Sequence, residues 1–118
     1  MICIVDDDAS LRRSLRNLLM SVGFAVETFD SAEAFLEAPR QDSIGCVVLD
    51  VRMAGMSGLE LLRHLSSAGS RIPVIMLTAH ADEETRRRSL EAGAAAFLEK
   101  PVRSAALLDA VRTALTST

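Results

Sequence analysis

The chain has 118 residues, 49% apolar and 25% charged, with a formal net charge of −3. That length suits one domain with a proper core and is too short for two. No apolar run approaches the ~20 residues of a membrane span. The near-balanced charge sets up no field toward nucleic acid or a membrane surface, and a chain with four Phe but neither Trp nor Tyr offers no aromatic platform for stacking bases.

Met1 to Val5 is the first expected strand, and it runs into Asp6-Asp7-Asp8. Acids so close to the start leave no room for a signal peptide. A helix is expected over 9–22, where Leu11, Leu15, Leu18, Leu19 and Val22 recur at spacings of three and four. Arg12, Arg13 and Arg16 take its other side, and Gly23 ends it as a C-cap glycine. Residues 24–29 are shorter and more polar, which suits an edge strand. Asp30 with Glu33 resembles a capping box for a short helix from Ala32 to Ala38, stopped by Pro39. Residues 39–43 read as loop.

Cys46-Val47-Val48-Leu49 is an apolar run ending in Asp50, as expected of a strand over 44–50 buried on both faces. A glycine-bearing loop, 51–56, leads to Ser57 and Glu60, a capping-box pair opening a helix that ends near Gly69. Pro73 opens the next strand, which ends in Thr78-Ala79-His80. Asp82 caps a helix running to about Ala92, the least apolar of the set. The last strand, 95–98, runs into Glu99-Lys100-Pro101, and the last helix spans about Arg103 to Leu115. Cys3 and Cys46 fall inside apolar strands and read as small core residues in a reducing compartment, which points to the cytoplasm.

Strand and helix thus alternate five times, the pattern of an α/β domain with a parallel sheet and helices on both faces. The alternation alone does not set the strand order. If the strands are parallel, their polar ends all emerge at the carboxyl edge, where ligands gather in such sheets. Three consecutive carboxylates repel, and a hard cation such as Mg²⁺ would relieve them, with Asp50 completing the cluster. The other reading is a helix start, where acids cap and meet the macrodipole; it is favoured for Asp8, is evenly matched for Asp6 and Asp7 taken alone, and gives way to the cation for those two once Asp50, Thr78 and Lys100 share their edge. Asp50 is a candidate nucleophile toward phosphorus, forming an acyl phosphate. Lys100, the Thr78 hydroxyl and a cation would each meet one phosphoryl oxygen. Taken singly, Thr78 reads as a β-branched strand residue and Lys100 as a surface lysine.

The whole chain resembles the receiver domain of bacterial two-component response regulators. The resemblance rests on Asp6-Asp7 after the first strand, Asp50 after the third, Thr78-Ala79 after the fourth and Lys100-Pro101 after the fifth, with the stretch 53–62 and Glu91-Ala92-Gly93-Ala94. It implies a flavodoxin-like five-stranded sheet of order 2-1-3-4-5 flanked by five helices. It implies Asp50 as phospho-acceptor, with Mg²⁺ (or Mn²⁺) held by Asp6, Asp7, Asp50 and the Arg52 backbone carbonyl. Lys100, Thr78 and Ala79 would contact the phosphoryl group, the Lys100–Pro101 peptide would be cis, and Thr78 and Phe97 would move as the switch. The segment after Asp50 and the His80 region look most like the nitrogen-fixation and LuxR-type branch, whose output is transcriptional. Ala54, Phe97 and Val102 depart from the proline, tyrosine and aromatic residue frequent at those places, which bears on the details of the switch rather than on the phosphorylation chemistry.

The resemblance makes a histidine kinase the donor. The partner would be an output domain or a second receiver copy, met through the fourth helix, fifth strand and fifth helix. Residues 1–118 would be the N-terminal receiver part of a longer regulator with a DNA-binding output domain, or a stand-alone receiver in a phosphorelay. Arg86, Arg87 and Arg88 with Asp109 are candidates for ion pairs on that face; the arginine run otherwise reads as a solvated helix face paired to Glu83 and Glu84, not a nucleic-acid contact. Arg52 and His80 each follow a site residue by two positions and are expected to control access of water to Asp50. Three rivals compete. An aspartyl-phosphate phosphatase would want a second Asp where Arg52 stands, a flavin carrier would want a hydroxyl-rich first loop, and a degenerate receiver would lack part of the set Asp6, Asp7, Asp50, Thr78 and Lys100.

Overall fold

The computed structural model describes residues 1–38 and 44–116. The loop expected at 39–43 and the tail at Ser117 and Thr118 lie outside those residues. Strands β1 (Ile2–Val5), β2 (Val26–Phe29), β3 (Cys46–Asp50), β4 (Val74–Thr78) and β5 (Ala96–Glu99) alternate with helices α1 (Ala9–Ser21), α2 (Ala32–Glu37), α3 (Gly58–Ser67), α4 (Glu83–Glu91) and α5 (Ser104–Thr116). All neighbouring strands pair in parallel, in the order β2-β1-β3-β4-β5.

The apolar runs of β1, β3 and β4 are continuous because both sheet faces are covered. Successive side chains alternate between two cores. Ile2, Ile4, Cys46, Val48, Ile75 and Leu77 face Leu15 and Leu19 of α1 and Leu107 and Val111 of α5. Cys3, Val5, Val47, Leu49, Val74 and Met76 face Ala32 of α2 and Leu61, Leu62 and Leu65 of α3. Both cysteines are buried and free; burial raises the Cys3 thiol to about 11 and the Cys46 thiol to about 12, so they stay protonated core groups. Among the described residues no helix is long and apolar enough to cross a membrane.

Three expectations shift. Strand β2 begins at Val26 rather than residue 24, because the Phe24 N–H turns back to the Leu19 carbonyl (3.1 Å) and closes α1. Strand β3 enters its ladder at Cys46, opposite Ile2, rather than at 44. Asp30 does not cap α2. Ser31 does, its hydroxyl accepting from the Ala34 N–H, since a cap must stand immediately before the first helical residue. Glu33 is thereby released from the expected capping box and accepts instead from the Met56 N–H at 2.9 Å. The Ser57–Glu60 box of α3 forms in both directions as expected.

Candidate functional site

Parallel pairing brings the ends of β1, β3, β4 and β5 to one edge. There Asp6, Asp50 and Thr78 are buried, while Asp7 is exposed beside them. One carboxylate oxygen each of Asp6, Asp7 and Asp50 lie within 4.8 Å of one another. An all-oxygen, all-anionic donor set of this kind suits a hard divalent cation such as Mg²⁺ or Mn²⁺.

Asp8 stands apart from this cluster. Its carboxylate accepts from the Ser10 and Leu11 N–H groups and caps α1, so the helix-start reading is the right one for it. Asp6 is held at several points. Its side chain accepts from the Asp8 N–H at 2.9 Å, and its carbonyl accepts from the Arg12 guanidinium at 2.6 Å. Sequence reasoning placed Arg12 on the solvent side of α1. It is half-buried and returns to the strand end it follows, a placement that periodicity could not reveal because Arg12 lies at the stripe's border.

Lys100 reaches across from the end of β5. Its ammonium donates to Asp6 at 3.0 Å and lies 3.3 Å from Asp50. The Lys100–Pro101 peptide is cis. Burial pulls the Lys100 ammonium down, but the hydrogen bond to Asp6 and the charges of Asp6 and Asp50 outweigh it and leave the group raised. Burial pushes the Asp50 carboxyl up, and the charge of Asp6 adds to this. Lys100 and the Arg52 N–H, which donates to Asp50 at 3.3 Å, offset only part. The site therefore carries more negative charge than one ammonium balances, which is the condition a cation would relieve.

Gly58, at the start of α3, has no room for a side chain. A Cβ there would stand 1.8 Å from the Asp50 carbonyl oxygen. Its N–H donates to the Val51 carbonyl at 2.9 Å, so α3 begins directly against the backbone of the candidate nucleophile. The residue pattern around Gly58 gives no sign of this close approach of α3 to the end of β3.

Thr78 is fully buried, and its hydroxyl accepts from the His80 N–H at 3.1 Å. Its carbonyl accepts from the Lys100 N–H at 2.7 Å, tying β4 to the loop that carries the lysine. Ala79 and His80 follow, both exposed. Phe97 is half-buried against the second core, opposite Met76. Arg52 is exposed on the loop after β3. The Thr85 N–H and hydroxyl hold the Asp82 carboxyl low at the N-cap of α4, and the charges of Arg52 and His80 add to that.

The expected interface residues lie away from the acidic edge. On α4, Arg87 pairs with Glu84 and Glu91, Arg88 with Glu84, and Arg86 more loosely with Glu83 at 3.8 Å. The three arginines remain about half exposed. Asp109 of α5 lines a groove of about 480 Å³ beside β5, with Leu98, Ala106 and Thr113.

Residues 2–112 match the family described as Response regulator receiver domain. The chain is similar to Transcriptional regulatory protein TdiR of Thauera aromatica, 48% identical over 112 residues covering 95% of this chain and 49% of that protein. It is similarly related to Transcriptional regulatory protein FixJ of Azorhizobium caulinodans, 47% identical over 95% of this chain and 53% of that protein. The chain thus spans about half the length of the curated relatives it matches. Among solved structures, FixJ-N superposes with a TM-score of 0.90 at 39% identity, covering 99% of this chain and 94% of the other.

Proposed function

This chain belongs to the response regulator receiver domain family, and we propose that it is a phosphorylation-driven switch whose phospho-acceptor is Asp50. Receiver domains of response regulators are signalling domains of two-component systems. The observation that carries the reading is the junction of Asp6, Asp7 and Asp50 oxygens within 4.8 Å, with the Lys100 ammonium bridging Asp6 and Asp50.

In the transfer, an Asp50 carboxylate oxygen attacks the phosphorus of a phosphohistidine on a kinase. A P–O bond forms, the P–N bond breaks, and its electron pair returns to the imidazole. Asp6, Asp7, Asp50 and the Arg52 carbonyl would hold Mg²⁺ or Mn²⁺, which when bound neutralises phosphoryl charge. Lys100 is placed to follow the new anion, because it already stands 3.3 Å from Asp50. The Thr78 hydroxyl and the Ala79 N–H lie at the end of the adjoining strand and would take further phosphoryl oxygens. The Thr78 oxygen accepts from the His80 N–H, which leaves its O–H hydrogen to donate to a phosphoryl oxygen. Movement of Thr78 toward that oxygen would carry the bonded His80 N–H with it and so link phosphorylation to the β4–α4 loop, with Phe97 on the neighbouring strand repacking alongside.

The readout face is then α4, β5 and α5, with Arg86, Arg87, Arg88 and Asp109 setting register against an output domain or a second copy. Exposed pairs of this kind contribute little affinity singly. Because the relatives are transcriptional regulators about twice as long, the reading extends to a longer regulator with a DNA-binding output domain, acting in the cytoplasm downstream of a histidine kinase. The test is intact-mass spectrometry after incubation with acetyl phosphate, with and without Mg²⁺, beside Asp50→Asn. One added phosphoryl group that requires both Mg²⁺ and Asp50 is the expected result. Phosphorylation that persists in the Asn variant would overturn the assignment.

A further inference from the structure

We infer that Glu33 is a positioning residue for the acidic site: its carboxylate, acting through the Met56 N–H, holds the loop that carries the Arg52 carbonyl. The inference rests on the reading of that site given above, and it brings α2, an element outside the site, into control of cation binding.

The loop between β3 and α3 has few restraints of its own. At its start the Arg52 N–H donates to Asp50, and at its end the Gly58 N–H returns to the Val51 carbonyl and the Ser57 N–H to Glu60. All three bonds run inward, to β3, to α3 or to the loop's own flank. Among the described residues, the hydrogen bond that ties 52–56 to an element beyond the flanking β3 and α3 is the one the Met56 N–H donates to Glu33 Oε2, 2.9 Å, across 23 positions of sequence. Ala54 brings no ring to restrict φ in the middle of this loop; Met53 and Met56 pack against the second core on either side of it, and the Glu33 bond fixes the backbone at its far end.

The carboxylate also sits against the loop's sharpest bend. Gly55 adopts φ +78°, and a Cβ there would stand 2.5 Å from Glu33 Oε2. The side chain thus meets the turn at Gly55 and bonds the N–H that follows it. The platform it acts from is fixed. Ala32 is fully buried, and the Phe35 ring packs edge-on against Phe29 at 5.4 Å. The cap of α2 is supplied by Ser31, so Glu33, an acid of the first turn, is free of the capping box and can reach the loop. The Met56 N–H in turn holds the Glu33 carboxyl below its ordinary value, which keeps it an ionised acceptor at neutral pH.

The test compares Glu33→Ala, Glu33→Gln and Glu37→Ala with the natural chain. Met56 amide hydrogen exchange is read by NMR in the metal-free protein, Mg²⁺ affinity by titration calorimetry, and labelling by acetyl phosphate. Glu33→Ala should speed Met56 exchange about tenfold and weaken Mg²⁺ about fivefold, as expected for losing one ordering hydrogen bond. Glu33→Gln keeps a carbonyl acceptor and should stay within about twofold of the natural chain on both. Glu37→Ala removes the same charge from the same helix and should change neither. Unchanged Mg²⁺ affinity in Glu33→Ala overturns the inference, as does unchanged Met56 exchange. Equal weakening by Glu37→Ala or Glu33→Gln overturns it too, since charge rather than the bond would then be at work. If the natural chain itself binds no Mg²⁺, the site reading fails first and takes this inference with it.

Discussion

Lys100 donates its shorter hydrogen bond to Asp6, at 3.0 Å, and stands 3.3 Å from the candidate phospho-acceptor Asp50. The two residues lie 94 positions apart and meet only because β1 and β5 deliver their ends to the same edge. In the metal-free protein this ammonium is the main counter-charge to two buried carboxylates. Lys100→Met should therefore destabilise the metal-free domain by about 2 kcal/mol, below the figure for a fully buried pair because the lysine keeps some solvent. Saturating Mg²⁺ should recover much of the loss, since a cation substitutes for the missing charge. Urea unfolding in chelator and in Mg²⁺ checks this. An equal loss in both conditions would mean that Lys100 acts through packing alone.

Asp50→Asn should make the metal-free domain more stable, by about 1 kcal/mol or a few degrees in Tm. Burial and the neighbouring Asp6 raise the Asp50 carboxyl above its unfolded value. A group raised on folding carries no penalty below its unfolded pKa. Its cost sets in as pH rises through the folded value. The advantage of the Asn variant should accordingly be largest near neutrality and shrink on acidification. Thermal melts from pH 7 to pH 4 in chelator measure it, and a difference independent of pH would sink the electrostatic account.

The members of the candidate site are largely readable in the sequence, because strand ends are marked by apolar runs that stop at polar residues. Val47-Val48-Leu49 into Asp50 and Ile75-Met76-Leu77 into Thr78 need no structure to be noticed. The strand order is different: alternation of strands and helices is compatible with several orders, and only the family resemblance supplied 2-1-3-4-5. What the residues could not show are contacts made from one element to the next, whether near or far in sequence. Arg12 on the Asp6 carbonyl, Gly58 against the Asp50 carbonyl and Glu33 on the Met56 N–H each involve a residue whose local pattern suggested another duty. The misplaced cap of α2 has the same origin. Asp30-Ser31 offers two capping side chains in succession, and the register of Ala32 in the core selects the second.

Gly58→Ala should damage both fold and site. The added Cβ would meet the Asp50 carbonyl oxygen and carbon, which are backbone atoms and cannot rotate away. Either α3 shifts outward or β3 does, and both carry buried core side chains. A loss of about 3 kcal/mol or more is expected, at the upper end of overpacking costs. Urea unfolding reads the stability, and acetyl phosphate labelling of the folded fraction reads the site. A variant of natural stability that labels at the natural rate would show that the two backbones can separate without consequence.

Arg52→Ala combined with His80→Ala should shorten the lifetime of phosphorylated Asp50. Both side chains rise, exposed, from the loops that follow β3 and β4, at the edge where Asp50 emerges, and there they would stand in the path of a water approaching Asp50 in line. Excluding such water is a recognised way to preserve a reactive acyl phosphate, and a hydrolysis rate raised about threefold or more is expected in the double variant. The decay of the phosphorylated mass after removal of acetyl phosphate gives these rates directly. A double variant that decays at the natural rate would return Arg52 and His80 to the status of solvent-facing loop residues.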